Sequence, residues 1–113
     1  MEQMKVVVTH DIKQGKLVLK NRDGEVKQGR NELFVEFQDS TGNLLQIDDG
    51  DMSAVMPRPG MSPMATPMSL SPTATRGRFL AQPVFETSGE WKIHTDYSGP
   101  SGSGSTAFSL IVK

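Results

Sequence analysis

Five methionines stand between residues 52 and 68: Met52, Met56, Met61, Met64 and Met68, out of seven in the chain. A thioether is a soft, uncharged donor. Cu(I) and Ag(I) accept such donors in sets of two to four, whereas hard ions avoid sulfur. No proton has to leave before the metal binds, so such a site works over a wide pH range. Binding through neutral ligands is also exchangeable, which suits a carrier. Packing is the competing use of the same side chains, because methionine is flexible and fills irregular gaps beneath loops or on a sheet.

Other residue types offer less. His10 and His94 are the only imidazoles, and both read as strand residues facing solvent. Their separation gives no spacing argument for a mixed site with the methionines. Asp48, Asp49 and Asp51 form DDGD, which lacks the alternating ligands and distal glutamate of a calcium loop and reads as a solvated turn. Without cysteine there is no disulfide, no zinc finger, no thiol nucleophile and no cysteine-ligated blue-copper centre. No G-x-S-x-G, H-E-x-x-H or phosphate-cradling glycine loop is present, so the chain reads as no enzyme. A net charge of −1 with dispersed basic residues gives no field for nucleic acid or an anionic membrane.

The elements that must position the methionines are β-strands. Leu33, Val35 and Phe37 alternate with polar neighbours, as do Trp91, Ile93, Thr95 and Tyr97 and, at the end, Phe108, Leu110 and Val112. This period of two marks half-buried strands. Further strands are expected at 4–10, 16–20, 44–47, 68–75 and 78–85, with turns at Asp23-Gly24, 39–43, Arg76-Gly77 and Ser88-Gly89. Pro83 marks an edge strand or a bulge. The polar, glycine-rich stretch 98–105 reads as a flexible loop. The fold class is therefore all-β: an immunoglobulin-like antiparallel β-sandwich of about seven or eight short strands, with Trp91 in the core. The 113 residues suit one domain.

The methionine segment also holds Pro57, Pro59, Pro63, Pro67 and Pro72, five of seven prolines. That density excludes a helix and favours an extended, polyproline-like run with a bend at Pro59-Gly60. Three residues per turn would put Met61 and Met64 on one edge, with Met56 returning towards them across the bend.

The order of motifs resembles a known family. Along the chain come Gly29-Arg30-Asn31, the alternating strand at 33–37, Asp39 to Gly42, the methionine-proline stretch, Gly77-Arg78-Phe79-Leu80-Ala81, Phe85 and Gly89-Glu90-Trp91. This is similar to the YtkA-like/FixH-like domain family, with the likeness strongest over 29–97 and compatible strands across 1–113. The resemblance implies a small extracytoplasmic β-sandwich, periplasmic or anchored facing outward. Related domains occur in FixH-type proteins linked to copper supply for oxidases, and with CusB-type copper/silver efflux adaptors. It therefore implies an accessory domain that binds Cu(I) or Ag(I) transiently through Met56, Met61, Met64, Met52 and Met68. The implied partner is a component of copper/silver transport or oxidase assembly, or the rest of a larger chain. No nucleic acid and no direct membrane insertion are expected, since no apolar run is long enough to cross a bilayer. The N-terminal MEQMKVVVTHD has no signal-peptide core, so an export signal is absent from this segment. The family often carries a tighter M-P-x-M-x-G-M cluster; here Arg58-Pro59 separates Met56-Pro57 from Gly60-Met61. The alternative function is a structural or protein-interaction module of a larger envelope protein, in which the methionines only pack.

Overall fold

A computed structural model describes residues 4–75, 77–100 and 102–113. Its strands are β1 (Lys5–Ile12), β2 (Gly15–Asn21), β3 (Gly29–Arg30), β4 (Leu33–Asp39), β5 (Asp49–Arg58), β6 (Met61–Pro67), β7 (Ser71–Pro72), β8 (Arg78–Ala81), β9 (Val84–Phe85), β10 (Gly89–Gly99) and β11 (Gly102–Val112). Eight of these have four residues or more; β3, β7 and β9 have two each. The architecture is an all-β sandwich. One sheet has the order β1-β2-β4-β8-β7 and the other β11-β10-β5-β6, while β3 and β9 pair separately.

Period-two alternation sets what lies between the sheets. Leu17 and Leu19 of β2, Leu33, Val35 and Phe37 of β4, and Phe79 and Ala81 of β8 line one inner face. Met52 and Ala54 of β5, Trp91, Ile93 and Tyr97 of β10, and Phe108, Leu110 and Val112 of β11 line the other. Phe37 bridges the layers, with its ring centroid 5.3 Å from Tyr97. Trp91 is 1% exposed, packs edge-on against Phe85 at 5.1 Å and donates its indole N–H to Thr87 O at 3.1 Å. The layers are also tied at one side, where His10 Nε2 lies 2.6 Å from Thr106 Oγ1 and the ring stacks on Phe108.

The outer face of the larger sheet carries one sealed charge. Glu36 is 2% exposed, yet it lies on the side of β4 away from the core. Lys20 Nζ of β2 reaches its carboxylate at 3.1 Å and Arg78 Nε of β8 at 2.9 Å, and Gln38 adds a third bond at 2.9 Å. Three adjacent strands are thereby stapled through one side chain.

The structure corrects several sequence expectations. The proline-rich segment is no polyproline run: it forms most of β5, all of β6, and β7. The two prolines of β6 are tolerated because β6 is an edge strand. Met68 N–H donates to Met52 O at 3.0 Å, so alternate amides of β6 face β5, while Pro63 and Pro67 fall where an amide would point to solvent. Residues 44–47 form no strand beyond an isolated Gln38–Leu44 bridge, because here the chain crosses from one sheet to the other. The expected strand 68–75 shrinks to Ser71–Pro72, and 78–85 breaks into β8 and β9 around buried Pro83. The expected loop 98–105 lies mostly in the β10–β11 hairpin. Gly104 explains why glycine belongs there: a Cβ would lie 2.5 Å from Tyr97 Oη. Arg76 of the expected 76–77 turn lies outside the described residues, as does Ser101.

Candidate functional site

The β5–β6 hairpin arranges its methionines by depth. Register pairs Ala54 with Thr66 and Met56 with Met64, and the Met68–Met52 backbone bond extends the ladder by one rung. Four thioethers thus form two cross-strand pairs on the inner face, separated by the Ala54–Thr66 rung. Met52 and Met68 are 2% and 0% exposed and belong to the core. Met56 and Met64 are half-buried at its rim. Beyond them the register shifts, Arg58 pairs with Met61, and Pro59-Gly60 makes the turn with Gly60 at φ 72°. Met61 is 64% exposed at the tip. Met61 stands one rung beyond the Met56–Met64 pair, on an extended strand instead of a polyproline run, and Met56 and Met64 face each other across the bend. The five sulfurs are graded along the hairpin rather than gathered at one point.

Directly opposite residues of an antiparallel pair have Cβ atoms about 4.5–5.5 Å apart. Two unbranched thioethers at that separation can turn their sulfurs to one small ion. The neighbourhood of the pair is defined. The terminal methyl of Met56 lies over Gly89, where a Cβ would stand 2.7 Å from it. Met64 borders a recess of about 220 Å³ together with Thr66, Val84 and Trp91, and with Arg58 and Glu86 of opposite charge. Thr66 Oγ1 donates to Val84 O at 3.1 Å and braces β6 against β9. Arg58 is held at the turn by donating through Nε and Nη2 to Ser62 O, at 2.9 and 2.6 Å. Its charge is directed back to the β6 backbone. Sequence reasoning placed Trp91 in the core and gave Glu86 no role; that both border the recess is a product of strand order, without a local signal.

The other candidates stand apart. His10 is half-buried against β11, at the opposite edge of the sheet from β6, and is not the exposed histidine expected. His94 lies on the outer face of β10, away from the inward methionines, as its alternation with Trp91 and Ile93 implied. Asp49 and Asp51 belong to exposed positions of β5 instead of a turn, and Asp51 stands opposite Asp96. Among the described residues, no group of three or more His, Asp or Glu could hold a metal ion. Larger depressions exist at Asp49–Asp51–Asp96, about 530 Å³, and at the Asn21–Asn31 turns, about 490 Å³, but neither borders a thioether of the hairpin.

The recurring motifs prove architectural. Asn31 takes the Lys27 amide on Oδ1 at 3.1 Å and donates Nδ2 to Lys27 O and Gly29 O, closing the turn into β4. Asp39 Oδ1 accepts from the Thr41 and Asn43 amides and the Thr41 hydroxyl, which holds the carboxyl below its usual range. Gly77 has φ 83° and lies too close to Leu45 O for a side chain. Gly89 leaves room for Met56 beside Trp91.

The sequence profile of the family described as YtkA-like matches residues 9–96, which adds the second half of β1 and all of β2 to the span expected from motifs. No curated protein and no solved structure matches the chain.

Proposed function

The chain belongs to the YtkA-like family, and on that premise we propose that it is an accessory domain handling monovalent copper or silver. Domains of this family are generally extracytoplasmic accessory modules. The finer reading rests on one observation, the register that sets Met56 opposite Met64 at the half-buried rim of the hairpin. Two facing thioethers suit the low coordination numbers of Cu(I) and Ag(I). Met61, exposed at the tip, supplies a third thioether that can exchange with a donor or an acceptor. Neutral ligands leave the ion's charge uncompensated, and Glu86 on the same recess offers a counter-charge. Met52 and Met68 support the pair from the core. The cargo passes to a protein component of copper/silver transport or oxidase assembly, or to the rest of a larger chain, outside the cytoplasm. Residues 1–113 act as one unit in this role, with no catalysis.

A second reading has its own support: all four inner-face thioethers lie in or against the core, as packing alone requires. Then the domain is a structural module of an envelope protein. Methyl NMR during Ag(I) titration separates the two. Under the carrier reading the methyl signals of Met56 and Met64 move most, Met61 follows, and Zn(II) leaves them unmoved. Met56→Leu combined with Met64→Leu conserves volume, at a cost below about 1.5 kcal/mol per site. That variant stays folded and loses most of its Ag(I) affinity. Unchanged affinity, or a parent silent at millimolar Ag(I), leaves the structural module.

A further inference from the structure

Three neighbouring strands of the smaller sheet set an aromatic ring beside the two facing thioethers. Met64 of β6 stands opposite Met56 of β5. The β5–β10 ladder runs to Val55 and Lys92, so Met56 and Trp91 are the next residues on the two strands. Both point inward, Trp91 as a core residue and Met56 packed against that core. Met64, Met56 and Trp91 therefore form one row across the inner face.

Two contacts support this placement independently. The terminal methyl of Met56 reaches over β10 into the space that a Cβ on Gly89 would need, and Gly89 lies on the same side of the pleat as Trp91, two residues on. Met64 and Trp91 border the same recess of about 220 Å³. The ring itself is fixed. Its N–H donates to Thr87 O at 3.1 Å, and Phe85 packs against it at 5.1 Å. Water barely reaches it, since Trp91 is 1% exposed.

We propose that the indole face of Trp91 is a third contact for the monovalent ion, beside the thioethers of Met56 and Met64; this rests on the carrier reading above. The chemistry is a cation–π attraction, which is best with tryptophan and grows where water is excluded. Thioethers bring no charge, so an ion held by two of them keeps its full positive charge. The ring supplies negative potential on the buried side, and Glu86 supplies it on the recess side. The arrangement also selects against hard ions. Bare Ag(I) or Cu(I) can lie between ring and sulfurs, whereas Mg(II) gives up its waters reluctantly and would carry them against a buried ring.

Trp91 is the only tryptophan, so its emission reports on this ring alone. Silver is a heavy atom, and its contact with an indole quenches fluorescence while raising phosphorescence. Titrating the parent with Ag(I) should produce both changes over the concentration range that moves the Met56 and Met64 methyl signals. Met56→Leu combined with Met64→Leu should lose them. Methyl shifts with undisturbed Trp91 emission would overturn the ring contact and leave the thioether carrier standing. A quench without any gain in phosphorescence, as a rearranged core would give, would do the same. Silence of both methyls and ring would overturn the carrier and the ring contact together. Trp91→Phe and Trp91→Leu separate the π face from packing: both lose the indole N–H and both are smaller, but only the first keeps a ring. Trp91→Phe should bind Ag(I) about tenfold more tightly than Trp91→Leu. Equal affinity in the two folded variants counts against the contact, and if either fails to fold the parent's emission decides.

Discussion

Glu36 holds a carboxylate that water barely reaches, facing outward from a sheet, between a lysine and an arginine. Burial alone raises its pKa, and is the largest single influence. The hydrogen bonds from Lys20, Gln38 and Arg78 together outweigh it, so the carboxyl sits below the ordinary glutamate range. A carboxyl whose folded pKa is depressed stabilises the fold above its unfolded pKa, and that contribution disappears as pH falls through the folded value. Urea midpoints should therefore drop below about pH 4.5 in the parent. Asp39 is lowered as well and contributes to the same fall. Glu36→Gln should cost about 1–3 kcal/mol at neutral pH and show a shallower decline in acid. An equal slope in both proteins would mean that Glu36 is ionised no more readily in the fold than in the unfolded chain. Nothing local in the sequence marked this residue; it reads as one polar position in an alternating strand. Its partners come from β2 and β8, and long-range pairing of that kind leaves no trace in spacing.

At the level of elements, the strands whose inward residues are large and apolar were legible. The pleat fixes parity, so Leu33, Val35 and Phe37 or Trp91, Ile93 and Tyr97 could point only one way once a core existed. The hairpin β5–β6 was not legible, because proline density reads as broken chain. Whether a proline is tolerated depends on being at a sheet edge, which is a property of the assembled fold. The β10–β11 hairpin was hidden for the opposite reason: serine and glycine read as linker, yet Gly104 is dictated by the ring of Tyr97 beside it. Gly104→Ala should force that ring to move from its bond with Gln14 and cost about 1–3 kcal/mol, the range for overpacking a core. Thermal or urea unfolding measures it. A loss within about 0.5 kcal/mol, usual for a surface change, would mean that this end of the hairpin behaves as the loop its composition suggests.

Across the whole molecule, one proline-rich segment supplies both edges on one side of the sandwich: β6 finishes the smaller sheet and β7 the larger. The crossing between them drives Met68 into the interior, and the hairpin before it leaves Met61 in solvent. Five copies of one side chain thus stand at three depths. Methionine is converted to its sulfoxide according to access, and the product is polar. Peroxide should oxidise Met61 first and Met56 and Met64 more slowly, while Met52 and Met68 stay reduced for as long as the fold survives. Peptide mass mapping over time would read that order, and early sulfoxide at Met52 or Met68 would contradict their burial. A bound soft ion would engage the lone pairs of the middle class and delay its oxidation. The hairpin would then keep a chemical record of whether metal had been present, with the exposed tip as its internal clock.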